Sequence, residues 1–165
     1  NNVANSLMVV CAKLGLHFVA CGPKEQMPTA DLVETCRAIA AEMGGTVTLT
    51  ESVEEGCKDA DVIYTDIWVS MGEPAEIWGE RIRLLSPYQV NAQVMSYAKP
   101  SAIFMHCLPS YHDTNTVVGA DVAAQFGLTE LEVTDEVFEG PQSVVFDEAE
   151  NRMHSIKAIM YATLK

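Results

Sequence analysis

Residues 102–109 read Ala-Ile-Phe-Met-His-Cys-Leu-Pro, a short apolar run that passes directly into a polar loop. An apolar run of this length, bounded by turn-forming residues, is typical of a strand buried in a parallel sheet. We therefore predict a strand over residues 102–105. Open α/β sheets bind their ligands beyond the carboxyl ends of the strands. The thiol of Cys107 would thus lie where such a fold places its site.

Three upstream segments also have the character of strands, and segments with helical periodicity separate them. The predicted strands are residues 16–21, which should be buried, 46–50 and 61–65. The predicted helices are residues 3–14, 30–43, a short helix capped by Ser52, 76–85, 87–98, 118–126 and 151–165. Strands that alternate with crossover helices indicate an α/β protein, with a Rossmann-like parallel sheet and helices on both faces.

The composition restricts the classes of partner. The 165 residues, about one domain in length, carry 23 acidic and 10 basic side chains, a formal net charge of −13. Because binding to phosphate groups needs clustered Lys and Arg, this balance argues against nucleic acid and against an anionic membrane surface. No run of about 18 apolar residues is present, and no signal peptide is visible, so we expect no membrane span.

The cysteines indicate the redox compartment. The five of them, at positions 11, 21, 36, 57 and 107, are odd in number and show no Cys-x-x-Cys spacing. This pattern argues against a disulfide framework or a zinc site and favours a reducing compartment. We therefore expect a cytoplasmic protein. The four cysteines other than Cys107 should belong to the core.

A second polar loop, residues 66–74, follows the predicted strand at 61–65. The carboxylate of Asp66 could hold an ammonium group through a charge-assisted hydrogen bond. Ser70 adds a hydroxyl group, and Gly72 lets the backbone adopt unusual dihedral angles close to a ligand. Alternatively, Asp66 caps a turn, which is a common role for Asp, and Trp68 covers the core.

Other candidate positions have two interpretations each. Asn1 and Asn2 stand at a helix start, where Asn is a frequent cap and where an anionic group can also bind. Arg152 could form a planar fork to phosphate or carboxylate, or an ion pair with Glu148. Cys107 could assist proton removal, donate a hydrogen bond or line a pocket, or it could simply pack. Nucleotide binding has no motif support, since no glycine-rich phosphate loop is present.

Five segments carry motifs that are far more specific together than any one alone. They are His106-Cys107-Leu108-Pro109, Asp66-x-x-x-Ser70-Met71-Gly72, Asn1-Asn2-Val3-Ala4-Asn5-Ser6, and residues 133–138 and 146–154. In this combination the chain resembles the ornithine carbamoyltransferase family, within the aspartate/ornithine carbamoyltransferase superfamily. The resemblance is to the C-terminal, ornithine-binding domain, and it covers nearly the whole sequence.

The resemblance implies a reaction and a set of roles. Carbamoyl phosphate gives its carbamoyl group to the δ-amine of ornithine, which yields citrulline and phosphate. The implied catalytic residues are Cys107, Asp66 and Arg152. The α-amino and α-carboxylate groups of ornithine would be held by Asn2, Asp66, Ser70 and the backbone N–H of Met71. The implied carbamoyl phosphate contacts are Cys107, Leu108 and Arg152.

Elementary chemistry is consistent with those roles. An amine must be neutral to attack, and the pKa of a free alkylamine is about 10.4. A site that desolvates the amine and offers it an acceptor lowers the cost of removing the proton. Positioning and electrostatics supply the rest, so we expect neither a metal nor a cofactor.

One departure from the family pattern concerns carbamoyl phosphate. The family binds it mainly through a Ser-x-Arg-Thr motif in a preceding domain, and that motif does not occur in this sequence. A strand order of 3-2-1-4-5 would also require a central strand before Asn1. We therefore expect residues 1–165 to be a single ornithine-binding domain whose N-terminal carbamoyl-phosphate-binding domain is absent. That domain would be a partner, the family suggests trimers or multiples of trimers, and the isolated chain should be inactive.

Two alternatives remain open at this stage. The chain could serve a carbamoyltransferase for another acceptor, such as putrescine or acetylornithine. The segment Ser70-Met71-Gly72 favours ornithine over a diamine, because a diamine has no α-carboxylate for this loop to hold. The chain could also be a non-catalytic α/β module that binds an amino acid or a nucleotide.

Overall fold

The computed structural model describes residues 2–70 and 72–164, and the chain divides after Lys58 into two compact units. Both are built from short parallel strand pairs flanked by helices, so the α/β prediction is confirmed. The first unit contains α1 (Asn2–Lys13), β1 (His17–Cys21), α2 (Ala30–Met43), β2 (Thr46–Thr50) and α3 (Val53–Cys57). Strands β1 and β2 pair in parallel, from His17 opposite Thr46 to Cys21 opposite Thr50.

The core of the first unit forms where helices α1 and α2 pack together and against β2. Its buried members recur at helical spacing on the two helices: Met8, Ala12, Val33, Cys36, Ala40 and Val47. The prediction of a buried strand at residues 16–21 is wrong in part, because Val19 is 39% exposed. Among the described residues β1 pairs only with β2, which leaves one of its edges open.

The cysteine prediction is likewise confirmed only in part. Cys36 and Cys57 are buried, whereas Cys11 and Cys21 are half-buried. All five are free thiols.

The second unit carries the other pair of strands. It contains β3 (Val62–Thr65), α4 (Trp78–Leu85), α5 (Ala92–Tyr97), β4 (Ile103–His106), α6 (Val117–Phe126), α7 (Asp135–Phe138) and α8 (Val145–Thr163). Strands β3 and β4 are parallel, from Val62 opposite Ile103 to Thr65 opposite His106. On the other edge of β4, the N–H of Phe104 donates to the carbonyl of Gln142 at 2.8 Å, so the chain before α8 extends the sheet.

Two helix predictions needed correction. The helix predicted at 87–98 is interrupted: residues 86–88 form a 3₁₀ turn, and α5 begins only after Asn91, whose side chain accepts a hydrogen bond from the N–H of Val94 at 3.0 Å. The helix predicted from residue 151 begins six residues earlier, at Val145. Asp147 and Glu148 occupy its first turn, where acidic side chains favour a helix start.

A second apolar cluster lies beneath the loops of this unit. Trp68, Tyr111, Val122 and Leu131 are its buried members, and the rings of Trp78 and Tyr111 meet edge to face with centroids 6.1 Å apart. This cluster anchors the segments that follow β3 and β4. Within the described residues, none of the helices has the length and apolarity needed to cross a bilayer.

Candidate active site at the ends of two parallel strands

The candidate site begins where β3 and β4 end. Their last residues, Thr65 and His106, lie opposite each other in the parallel register, so Asp66 and Cys107 are the next residues on adjacent strands. The Sγ of Cys107 donates a hydrogen bond to Oδ1 of Asp66 at 3.0 Å. The same oxygen accepts the N–H of Ile67 at 2.8 Å. Two candidates chosen from separate loops are thereby brought into contact.

Burial and the neighbouring carboxylate determine the chemical state of the thiol. Burial raises the pKa of Cys107 to about 12, and the hydrogen bond to Asp66 and the charge of Asp66 act in the same direction. The reactive form of a cysteine is its thiolate. At neutral pH Cys107 is therefore a thiol that donates a hydrogen bond, and it is poorly suited to covalent nucleophilic attack.

Tyr64 and Glu148 flank this contact, and sequence reasoning assigned neither of them to the site. The Tyr64 hydroxyl donates to Oε1 of Glu148 at 2.8 Å. The backbone N–H of His106 donates to the other oxygen, Oε2, at 3.1 Å. Burial, followed by the hydrogen bond to Glu148, strongly raises the pKa of Tyr64, so its hydroxyl stays protonated.

A buried polar cluster supports the loop after β4 from below. His106 and Glu132 have fully buried side chains, and Nε2 of His106 lies 3.1 Å from Oε1 of Glu132. That oxygen also accepts the Ser110 hydroxyl at 3.0 Å and the N–H of Tyr111 at 2.7 Å. Nδ1 of His106 contacts the carbonyl of Cys107. No sequence pattern pointed to Glu132, because its partners are at least 21 residues away along the chain.

The loop that resembles an ornithine-binding element is ordered by its own polar contacts. The N–H of Ser70 donates to Oε2 of Glu73 at 2.6 Å, and Oε1 of Glu73 pairs with Arg81 at 3.1 Å. Gly72 has a φ of +94°, a conformation that glycine adopts without steric cost. Trp68 covers the core as the alternative interpretation proposed, whereas Met71 lies outside the described residues.

The remaining candidates belong to three other segments: α8, the loop after β4, and α1. Arg152 is exposed on α8, one turn after Glu148, and among the described residues its guanidinium forms no ion pair with Glu148 and no hydrogen bond to Cys107. Leu108 is 44% exposed, and its peptide bond to the following proline is cis. Asn2 is the first residue of α1 in the other unit.

The described residues include one cluster that could in principle ligate a cation. Donor atoms of His112, Asp113 and Asp135 lie within 4.8 Å of one another. The Nδ1 of His112 is 2.7 Å from a carboxylate oxygen of Asp135, and its ring stacks on Phe138 with centroids 3.7 Å apart. The Asp135 contact occupies Nδ1 of His112, and none of the three residues is among the predicted site residues.

Comparison with known proteins gives one consistent result. Residues 1–163 match the family model described as aspartate/ornithine carbamoyltransferase, Asp/Orn binding domain. The chain is 63% identical over 164 residues to the catabolic ornithine carbamoyltransferase of Treponema denticola, covering 99% of the chain and 48% of that relative. It is 54% identical to an ornithine carbamoyltransferase of Staphylococcus aureus strain Newman, covering 99% of the chain and 50% of that relative. The chain thus spans about half the length of the curated relatives it matches.

Solved structures show the same fold. The ornithine carbamoyltransferase from Pyrococcus furiosus is 40% identical with a TM-score of 0.78, covering 94% of this chain and 44% of that one. The ornithine transcarbamoylase from Giardia lamblia is 32% identical with a TM-score of 0.78, covering 97% of this chain and 46% of that one. An N-acetyl-L-ornithine transcarbamylase is 23% identical, covers 96% of this chain and 43% of that one, and has a TM-score of 0.73, which supports the fold alone.

Proposed function

Because the chain belongs to the aspartate/ornithine carbamoyltransferase family, as its Asp/Orn-binding domain, we propose that it supplies the ornithine-binding half of an ornithine carbamoyltransferase. The reaction is transfer of the carbamoyl group from carbamoyl phosphate to the δ-amine of L-ornithine, giving citrulline and phosphate. The observation that carries the proposal is the 3.0 Å contact between Cys107 Sγ and Asp66 Oδ1 at the ends of two adjacent parallel strands.

This contact suits an amine substrate. Asp66 offers carboxylate oxygens to an ammonium group, and such charge-assisted hydrogen bonds are stronger than neutral ones. The amine must become neutral before it attacks: the half-buried position of Asp66 and Cys107 disfavours its charged form, whereas the Asp66 carboxylate holds the ammonium group until its proton leaves. Cys107, as a thiol, orients the amine and the Asp66 carboxylate without forming a covalent bond.

The remaining roles follow the family pattern. Ser70, the backbone N–H of Met71 and Asn2 hold the α-carboxylate and α-amino groups of ornithine, together with Asp66. Leu108 and Cys107 present backbone groups to the carbamoyl moiety, and Arg152 stabilises charge on its carbonyl oxygen. We further propose a preceding carbamoyl-phosphate-binding domain, assembly into trimers or multiples of trimers, and a cytoplasmic location. Two full-length relatives of about twice the length support the additional domain.

The acceptor can be tested directly on the full-length protein. With carbamoyl phosphate present, ornithine should be carbamoylated, while putrescine and N-acetylornithine should react on the order of a hundredfold more slowly, because neither offers both the α-amino and the α-carboxylate group that the site is proposed to hold. Asp66→Asn should lower kcat/KM for ornithine about tenfold to a hundredfold, the cost of losing a hydrogen bond to a charged group.

The matched control is Asp61→Asn, since Asp61 is exposed and pairs with Lys99 at 2.7 Å on the surface. It should leave kcat/KM unchanged. A preference for putrescine or N-acetylornithine would instead identify the other acceptor. Binding of ornithine without formation of any citrulline would indicate a non-catalytic module.

A further inference from the structure

One carboxylate, that of Glu148, joins three elements around Cys107. It belongs to α8, accepts the hydroxyl of Tyr64 from β3 at 2.8 Å, and accepts the backbone N–H of His106 from β4 at 3.1 Å. The His106 amide is the last of β4 and immediately precedes Cys107. Glu148 therefore fixes the backbone from which the thiol projects as well as a hydroxyl beside it.

The Tyr64 hydroxyl also interacts with the thiol itself. Its single hydrogen is donated to Glu148 while Cys107 is a thiol, and a hydrogen bond from Tyr64 to the ionised sulfur lowers the pKa of Cys107. The thiol thus has the Asp66 carboxylate as its hydrogen-bond acceptor, while the Tyr64 hydroxyl acts on its pKa. Both Tyr64 and Glu148 are half-buried, where a hydrogen bond to a carboxylate is stronger than it is in water.

We propose that Tyr64 and Glu148 are positioning residues for carbamoyl transfer, which hold the Cys107 thiol in the direction of Asp66. The inference rests on the proposed function, because it needs the thiol to act as an oriented donor at the reacting amine. Glu148 also fixes the first turns of α8 against β3 and β4, and Arg152 follows one turn later on that helix. The pair acts through Cys107 and the backbone of His106, and it does not bind ornithine.

Tyr64 and Glu148 shift the pKa of Cys107 in opposite directions, so their effects can be measured separately. The charge of Glu148 raises the pKa of Cys107, whereas the hydrogen bond from Tyr64 lowers it. Tyr64→Phe should therefore leave less thiolate at a given alkaline pH and slow alkylation of Cys107. Glu148→Gln removes the negative charge, keeps an oxygen that can accept the Tyr64 hydroxyl, and should accelerate the alkylation.

The test uses both variants in the full-length protein. Steady-state citrulline formation gives kcat and the KM for ornithine, and peptide-resolved mass spectrometry gives the rate at which iodoacetamide alkylates Cys107 at a fixed alkaline pH. We expect kcat to fall about tenfold in each variant while the KM changes less than about twofold, the pattern of a contact that matters in the transition state. The alkylation rates should shift in opposite directions.

Matched controls are Tyr97→Phe and Glu150→Gln. Tyr97 accepts a hydrogen bond from Gln93 at 3.0 Å away from the site, and Glu150 on α8 lies 3.7 Å from His154 on the surface. Both variants should behave as wild type. Unchanged kcat in both variants overturns the proposal, and so do unchanged alkylation rates of Cys107, because the thiol would then depend on neither Tyr64 nor Glu148. If one variant does not fold, the direction in which the other variant changes the alkylation rate of Cys107 is enough to test the proposal. A wild-type protein that forms no citrulline contradicts the proposed function, and the alkylation rates still test the Tyr64–Glu148 contact.

Discussion

The sulfur of Cys107 has two possible chemistries, and its surroundings select one of them. A catalytic nucleophile needs a depressed pKa, next to a cation or at a helix start. Cys107 instead has the carboxylates of Asp66 and Glu148 as neighbours, and burial together with Asp66 raises its pKa to about 12. The side chain is therefore kept protonated, and in the proposed reaction it acts as a hydrogen-bond donor.

This assignment predicts an order among substitutions at position 107. In the full-length protein, Cys107→Ser should retain part of the activity because a hydroxyl can also donate to Asp66. Cys107→Ala should lower kcat/KM for ornithine about tenfold further, the cost of one lost hydrogen bond to a charged acceptor. Steady-state kinetics measure both, with Cys11→Ala as a control remote in sequence. Equal, complete inactivation by Ser and Ala, together with a trapped adduct on the sulfur, would establish covalent catalysis instead.

At the scale of elements, two helix-to-strand turns lie against each other in the first unit. Gly15 ends the turn after α1 with a φ of +70°, and a Cβ built on it would stand 2.4 Å from the carbonyl oxygen of Met43. A Cβ on Gly45 would stand 2.4 Å from the carbonyl oxygen of Leu16. The close approach of these two backbones aligns the starts of β1 and β2, and glycine is the residue that permits it.

Gly15→Ala should therefore destabilise the protein by about 2 kcal/mol or more, because the left-handed conformation alone costs an alanine about 1–2 kcal/mol. Urea unfolding measures the loss as a lower transition midpoint. Gly22→Ala is the matched control: a Cβ there meets nothing within 4 Å, so the free energy of unfolding should change by less than about 0.5 kcal/mol. Similar midpoints for the two variants would show that the turns are not in close contact.

The elements also show where sequence reasoning succeeds. Helix α2 and strand β2 have the predicted bounds, since Gly44 and the alternation of β-branched residues are local signals. The contact of Asp66 with Cys107 was predictable as well, because parallel strands end at a common edge. The partners of Glu148 and Glu132 were not. Their contacts with Tyr64 and His106 span 84 and 26 residues, and only the folded chain determines such pairs.

At the scale of the whole molecule, charge distinguishes the two substrates of the proposed reaction. The chain carries a net charge of −13, which disfavours the approach of an anion such as carbamoyl phosphate. The site residues of the second unit form instead an arrangement suited to a cation, with Asp66 at its centre. The chemistry of this chain thus complements the amine acceptor of the proposed reaction, and under that proposal the anionic donor is held by positive groups of the proposed preceding domain.

For this reason the 165-residue chain by itself should form no citrulline. The sequence contains no Ser-x-Arg-Thr motif to hold the phosphate group, and Arg152 lies one turn beyond Glu148 without a contact to Cys107. If carbamoyl phosphate is not held in place, the reaction loses the benefit of positioning. In well-oriented reactions, positioning lowers the activation barrier by about 7–11 kcal/mol. A colorimetric citrulline assay, with the full-length protein as the positive control, measures the difference. Citrulline formation by the isolated chain above the uncatalysed rate would show that these residues bind and orient carbamoyl phosphate unaided.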